Sequence, residues 1–195
     1  MIPTPDDGTR FSDERVWDEA TRPVGPPSDP ERGYSPHERA VGQQLVDIHD
    51  HLRGELDRLR GLVAEVLAGS MDPGTARSHL NAMTMRQNNW TLGAYCASYC
   101  RIVTMHHTIE DRQMFPSLRR FDPRLEPVID RLQAEHLVIH DVLERVDLTL
   151  VALVTAPDGA RALQAAMDLL SDTLRSHLSY EERELVEPLA RLGFV

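Results

Sequence analysis

Four separated stretches of this chain each bring a histidine to an apolar helical face, and in three of them a second His or a Glu follows four residues later. The stretches are DIHDHLRGEL with His49, TMHHTIEDRQMFP with His106 and Glu110, AEHLVIHDVL with His136 and His140, and HLSYEERELVEPL with His177 and Glu181. Residues four apart on an α-helix lie one turn apart and about 40° round the axis. Such a pair can grip one metal ion, or two neighbouring ions, from the same side. A fold for this chain has to turn four such faces toward a common interior.

The composition agrees with helices. The good helix formers Leu, Arg and Ala are among the commonest of the 195 residues, aromatics make up 5%, and no strand-like alternation of any length occurs. The length suits one domain plus a tail. The net charge of −10 comes with no basic stripe, which argues against a nucleic-acid partner. No apolar run approaches the roughly 20 residues that span a bilayer. The polar, acidic start lacks a signal-peptide pattern, and Cys96 and Cys100 read as reduced thiols in the core, so a cytoplasmic location is expected.

Residues 1–36 hold seven of the thirteen prolines and read as a mobile arm, with SDERVWDEA as a possible short docking helix capped by Ser12. The bundle domain is expected over 37–195. Ser35 as N-cap and Pro36 at the first helical position open a helix over 36–69. A short helix is expected at 75–86, then long ones at 90–115, 124–155 and 159–187, with breaks at Pro116 and Pro188. The fold class is therefore all-α, an up-down-up-down four-helix bundle with one short extra helix between the first two.

The stripes of these helices select ligands. On the third long helix, Leu125, Ile129, Leu132, Leu143 and Leu150 share a face with His136 and His140, and two buried imidazoles need partners that a metal supplies. On the first, His49 borders Leu45, Leu52 and Leu56, while His51 points to solvent. On the second, Glu110 lies near the centre of the inward face, flanked by His106 and His107. An offset of roughly 40° from Glu110 favours His106 over His107, which lies at roughly 60° and is left as a supporting neighbour. On the fourth, His177 and Glu181 fall inside the stripe and Glu182 outside it, so Glu181 is the expected carboxylate and Glu182 is expected to face solvent. The proposed set of five His and two Glu exceeds a closed zinc site and suits two ions with bridging carboxylates, iron above all. No His has a Glu three residues before it, which counts against the ferritin-like pattern.

The ordered pattern His49, His106-x-x-x-Glu110, His136-x-x-x-His140, then His177 with a following Glu resembles a hemerythrin-type HHE domain over about residues 37–190. The resemblance implies a four-helix bundle around two iron ions joined by an oxo or hydroxo bridge. By position, His136, His140 and His177 would hold one iron, and His49 and His106 the other. Glu110 and a carboxylate of the last helix would bridge. Oxygen-carrying members place Asp five residues after the last His, whereas here positions +4 and +5 are Glu181 and Glu182. Periodicity favours the first and that register the second, so both remain candidates. The function expected is binding of, or reaction with, a small oxidant such as dioxygen, hydrogen peroxide or nitric oxide. A redox or iron sensor, or simple metal storage, is the alternative, and the sequence does not decide whether the chain is an enzyme.

Overall fold

Ser35 and Glu38 tie the start of the first helix. The Glu38 amide donates to Ser35 Oγ at 3.2 Å, and the Ser35 amide donates to Glu38 Oε2 at 2.7 Å, a reciprocal capping box with Pro36 inside it. The computed structural model describes residues 1–29, 31–68, 92–153 and 156–193. The helix that follows, α1, spans Pro36–Leu67. Leu45, His49, Leu52, Leu56, Leu59 and Val63 recur along it at alternating steps of three and four and are all buried. The expected helix at 75–86 lies outside the described residues.

The second long segment is α2, Leu92–Ile109, continued by a wide π-helical turn at Glu110–Met114 and by α3, Phe115–Phe121. A stop near Pro116 was the expectation from sequence, and the chain instead passes through it. Pro116 has no N–H to offer a regular helical bond, and the widened turn sits just before it, so the helix re-forms with the proline in its first turn. After a 3-10 turn at Pro123–Leu125, α4 spans Glu126–Ala152. The last helix, α5, spans Gly159–Leu192 and ends on Gly193 at φ 63°, the left-handed conformation that glycine accepts most readily. Pro188 does not end it. All regular structure among the described residues is helical.

Helix α5 is the axis of the molecule and packs most extensively on α1 and α4. From Leu169 to Ala190 it is buried almost all round, including Ser171, Asp172, Thr173, Ser176, Glu182 and Glu184. Asp172, Ser176, Glu182 and Glu184 meet the N-terminal segment. Phe11 and Ser12 amides donate to Asp172, the Gly25 amide donates to Glu184 Oε2 at 2.7 Å, and Tyr180 Oη donates to the Pro23 carbonyl at 2.8 Å. Residues 1–29 are thus laid along α5, where the sequence suggested a mobile arm, because they satisfy a row of polar side chains that would otherwise be exposed. The SDERVWDEA stretch forms only a 3-10 turn, Glu19–Thr21, while Val16 and Trp17 pack on the core. At Gly42 an added Cβ would fall 2.7 Å from the Val186 carbonyl oxygen, so α1 and α5 cross there at a distance that only glycine permits.

The core has two apolar clusters. One holds Leu52, Leu56, Val103, Ile139, Val146, Leu174 and Leu178 among others. The second holds Leu45, Phe115, Leu118, Ile129, Leu132 and Leu185. Near the level where the two clusters meet, each long segment carries buried or half-buried His and Glu side chains: His49 on α1, His106, His107 and Glu110 on α2 and its π turn, Glu135 and His136 on α4, and His177 and Glu181 on α5. These side chains form a polar layer within the core.

Candidate metal centre

Two groups of side chains meet in that layer. His107, His136 and His177 form one, and His49, His106, Glu110 and Glu181 form the other, with the potential ligand atoms within each group all inside 4.8 Å of one another. The rings of His107 and His136 stack at 4.0 Å between centroids, and His177 stands edge-on to both. Glu110 reaches both groups. Its Oε1 lies 2.9 Å from His106 Nε2 and 3.9 Å from His49 Nε2, and its Oε2 lies 3.5 Å from His136 Nε2. Glu181 Oε2 is 3.7 Å from His49 Nε2 and also 3.7 Å from His177 Nε2.

Second contacts fix the outer faces of the rings. His177 Nδ1 is 3.0 Å from Glu135, His136 Nδ1 is 3.0 Å from Asp111, and His49 Nδ1 is 2.9 Å from Glu182. A carboxylate on Nδ1 places the ring proton there and leaves the lone pair of Nε2 directed inward. The π turn contributes here. It begins at Glu110, so that Glu110 faces the interior while the next residue, Asp111, reaches His136.

What the layer lacks is as informative as what it contains. Nε2 of His107, His136 and His177, and both carboxylate oxygens of Glu110 and Glu181, are buried without a hydrogen-bond partner. Buried polar atoms nearly always find one, and seven converging orphans that are all metal-ligating atoms fit a bound cation. Electrostatics agree. Burial, then the charge of Glu110, pushes the Glu181 carboxyl well above its usual range. Burial, then the neighbouring His136 and His177, pushes His107 well below the usual imidazole range. A bound cation would relieve the carboxylate repulsion and would meet a neutral His107 with its lone pair free.

The hemerythrin HHE cation binding domain matches residues 40–189. The chain belongs to the hemerythrin HHE family. No curated protein and no solved structure matches it. As a member of that family it carries a cation-binding His and Glu cluster, and the matched region holds all of the layer. No described helix is long and apolar enough to cross a membrane.

Of the residues singled out by sequence, His49, His106, Glu110 and Glu181 come together, as do His136 and His177. His140 does not join them, since it is exposed. The buried residues of α4 are Val128, Ile129, Leu132, Glu135, His136, Ile139, Val142, Leu143 and Val146, and their mean direction lies roughly 50° from His136 on the side away from His140. Counting Ile139, Val142 and Val146 would have moved the stripe. His107 takes the place expected for His140. Adjacent histidines are about 100° apart, so one sits in each group, and the pair at 106–107 serves two positions rather than one. Glu182 does not face solvent. It is fully buried behind His49, where it accepts from the Thr4 amide at 2.6 Å and pairs with Arg53 at 2.7 Å. Glu135 was missed altogether, because a Glu at the edge of an apolar stripe reads as solvated when its partners are not visible.

Ile48 and Ile109, the chain neighbours of His49 and Glu110, line an apolar groove of about 580 Å3 together with Leu45 and Met114. His51 is exposed and takes no part, and His37, also exposed, lines that groove without joining the histidine layer. Cys96 is buried and Cys100 half-buried, both as free thiols.

Proposed function

We propose that this chain is a non-haem di-iron protein that binds or reacts with dioxygen, hydrogen peroxide or nitric oxide in the core of an up-down-up-down four-helix bundle, with residues 37–195 as the bundle and 1–36 as an added segment. The observation that carries this is the placement of two carboxylates between two histidine groups. Glu110 turns one oxygen toward His49 and His106 and the other toward His136, and Glu181 lies equally far from His49 and His177.

His107, His136 and His177 would hold one ion, His49 and His106 the other, with Glu110 and Glu181 shared. Seven imidazole and carboxylate donors exceed the four of a closed zinc site and suit a pair of iron ions. Bound iron supplies Lewis-acid and redox chemistry there. The chain's own residues do the rest. The apolar clusters on either side exclude water from the layer. The three-histidine side is buried, whereas on the two-histidine side the His106 side chain is 11% exposed and offers the way in. The apolar groove beside Ile48 and Ile109 suits a small uncharged molecule better than an ion. A redox or iron sensor is the second reading, favoured by the contacts of the N-terminal segment with Glu135 and Glu182.

The test is to load the protein with Fe(II) without oxygen and then admit dioxygen, peroxide or nitric oxide in turn. A change in the absorption spectrum with at least one of them is expected. Stable iron with no spectral response to any of the three would leave simple metal storage and contradict the oxidant reading.

A further inference from the structure

The N-terminal segment lies outside the matched family region, which begins at residue 40. Two of its groups nevertheless end on the carboxylates that back the histidine layer. Arg22 meets Glu135 with two parallel bonds, Nε to Oε1 at 2.8 Å and Nη2 to Oε2 at 2.9 Å. Glu135 Oε2 in turn meets His177 Nδ1. The Thr4 amide donates to Glu182 Oε2, and Glu182 Oε1 meets His49 Nδ1. One arm contact therefore stands behind each histidine group.

We propose that Thr4 and Arg22 are positioning residues of the metal centre, and that docking of the N-terminal segment and loading of the metal reinforce each other. This rests on the di-iron reading above. Arg22 is held for the task. Its guanidinium lies over the rings of Trp17 at 5.3 Å and Tyr180 at 4.7 Å, and Nη1 donates to Ser176 Oγ at 2.9 Å. Its side chain is only 6% exposed, so the bidentate pair is shielded from solvent. Glu135 also meets Arg131, but with a single bond at 2.7 Å to Oε1, the oxygen that does not touch His177. Among the described residues, Arg22 is the one arginine that binds the oxygen that does. Removing it leaves a buried carboxylate half-neutralised and free to turn, and the tautomer and aim of His177 go with it. On the other side Arg53 fixes Glu182 Oε1, and among the described residues only the Thr4 amide fixes Oε2.

Coupling of this kind is reciprocal. If the docked segment holds the ligands in place, bound iron must hold the segment down.

The experiment uses the full chain loaded with Fe(II) and follows the transfer of iron to a chelator. Arg22→Ala and Thr4→Pro, which removes the amide donor, should each speed the loss of iron by about tenfold or more. Arg22→Ala should also shift the absorption band of the oxidised protein, and Arg22→Lys should recover part of both effects. Arg10→Gln breaks pairs with Asp6 and Glu19 in the same segment but touches neither carboxylate, and should stay within about twofold of wild type. Amide exchange over residues 1–29 should be slower with iron than without. Wild-type rates in both Arg22→Ala and Thr4→Pro, with equal exchange in the loaded and metal-free chains, would overturn the inference while leaving the di-iron reading standing. A wild-type chain that holds no iron would overturn that reading and this inference with it.

Discussion

His107, His136 and His177 are all buried, whereas the His49 and His106 side ends at a His106 that is only half-buried. The enclosed group has three imidazoles, with Asp111 behind His136 and Glu135 behind His177. The other has two imidazoles, of which only His49 has a carboxylate behind it. One side is thus richer in donors and more rigidly backed, and the other is poorer and nearer to solvent. On the proposed di-iron reading, asymmetry of this sort would separate retention from reaction: the rich side would keep an ion, and the poor side would leave room for a small ligand.

The sharpest way to break the comparison is to remove a ligand from the enclosed side. His177→Ala should abolish retention of one ion per chain and lower the melting temperature of the iron-loaded protein by many degrees, because binding energy at such a site is folding energy. His106→Ala should cost less stability, since water can reach the vacated place. Elemental analysis with calorimetry on both variants checks this, and equal losses would mean that the two sides do not differ in the way described.

The carboxylates come next. Glu181→Gln removes a charge shared by both groups and should strip or strongly shift the iron absorption. Glu182→Gln acts only through His49 and should weaken iron binding by about 10-fold to 100-fold with a smaller spectral change. A Glu182→Gln variant that bleaches the band while Glu181→Gln leaves it intact would exchange their roles.

Acid should act on the metal-free protein in a defined direction. Burial pushes His177 down from 6.5 to about 4. Burial alone would raise Glu135, but His177 and Arg22 outweigh it and hold the group down from 4.5 to about 2. In both cases the unfolded chain binds the proton more readily, so stability rises with pH. The contribution of His177 is fully present above its ordinary value and is lost as pH falls through about 4, and that of Glu135 follows toward about 2. Glu181, held well above its usual range, acts in the opposite sense over the same interval, so the prediction is made for Glu181→Gln, which lacks that group. The melting temperature of its metal-free form should fall from neutral pH to pH ~4, and a flat or rising profile there would contradict the assignment of a buried neutral His177.

The smallest expected effect is at His140. His140→Ala should leave iron content unchanged and stability within about 0.5 kcal/mol, as for other exposed positions. His107→Ala should lose an ion. Reversal of the two would restore the pairing first suggested by their spacing.

Much of this was legible in the chain, and the rest was hidden for physical reasons. Capping at Ser35 and Pro36, the start of the last helix at Gly159 and the inward turn of His49, His106, Glu110 and His177 all follow from local chemistry and helical period. His140 misled because a four-residue spacing fits a helix face only if the stripe is centred correctly, and valines and isoleucines at 139, 142 and 146 shift that centre. Glu135 and Glu182 were unreadable because their partners, Arg22 and Thr4, lie more than a hundred residues away. The same distance hid the docking of residues 1–29. A proline-rich, polar segment looks unattached until the polar face of α5 that it covers is seen.

The account stands or falls on the metal content of the purified protein. Elemental analysis of the full chain with its absorption spectrum should find close to two iron atoms per chain and, after oxidation, a charge-transfer band that moves when azide is added. One zinc per chain, with no iron and no band, would contradict it.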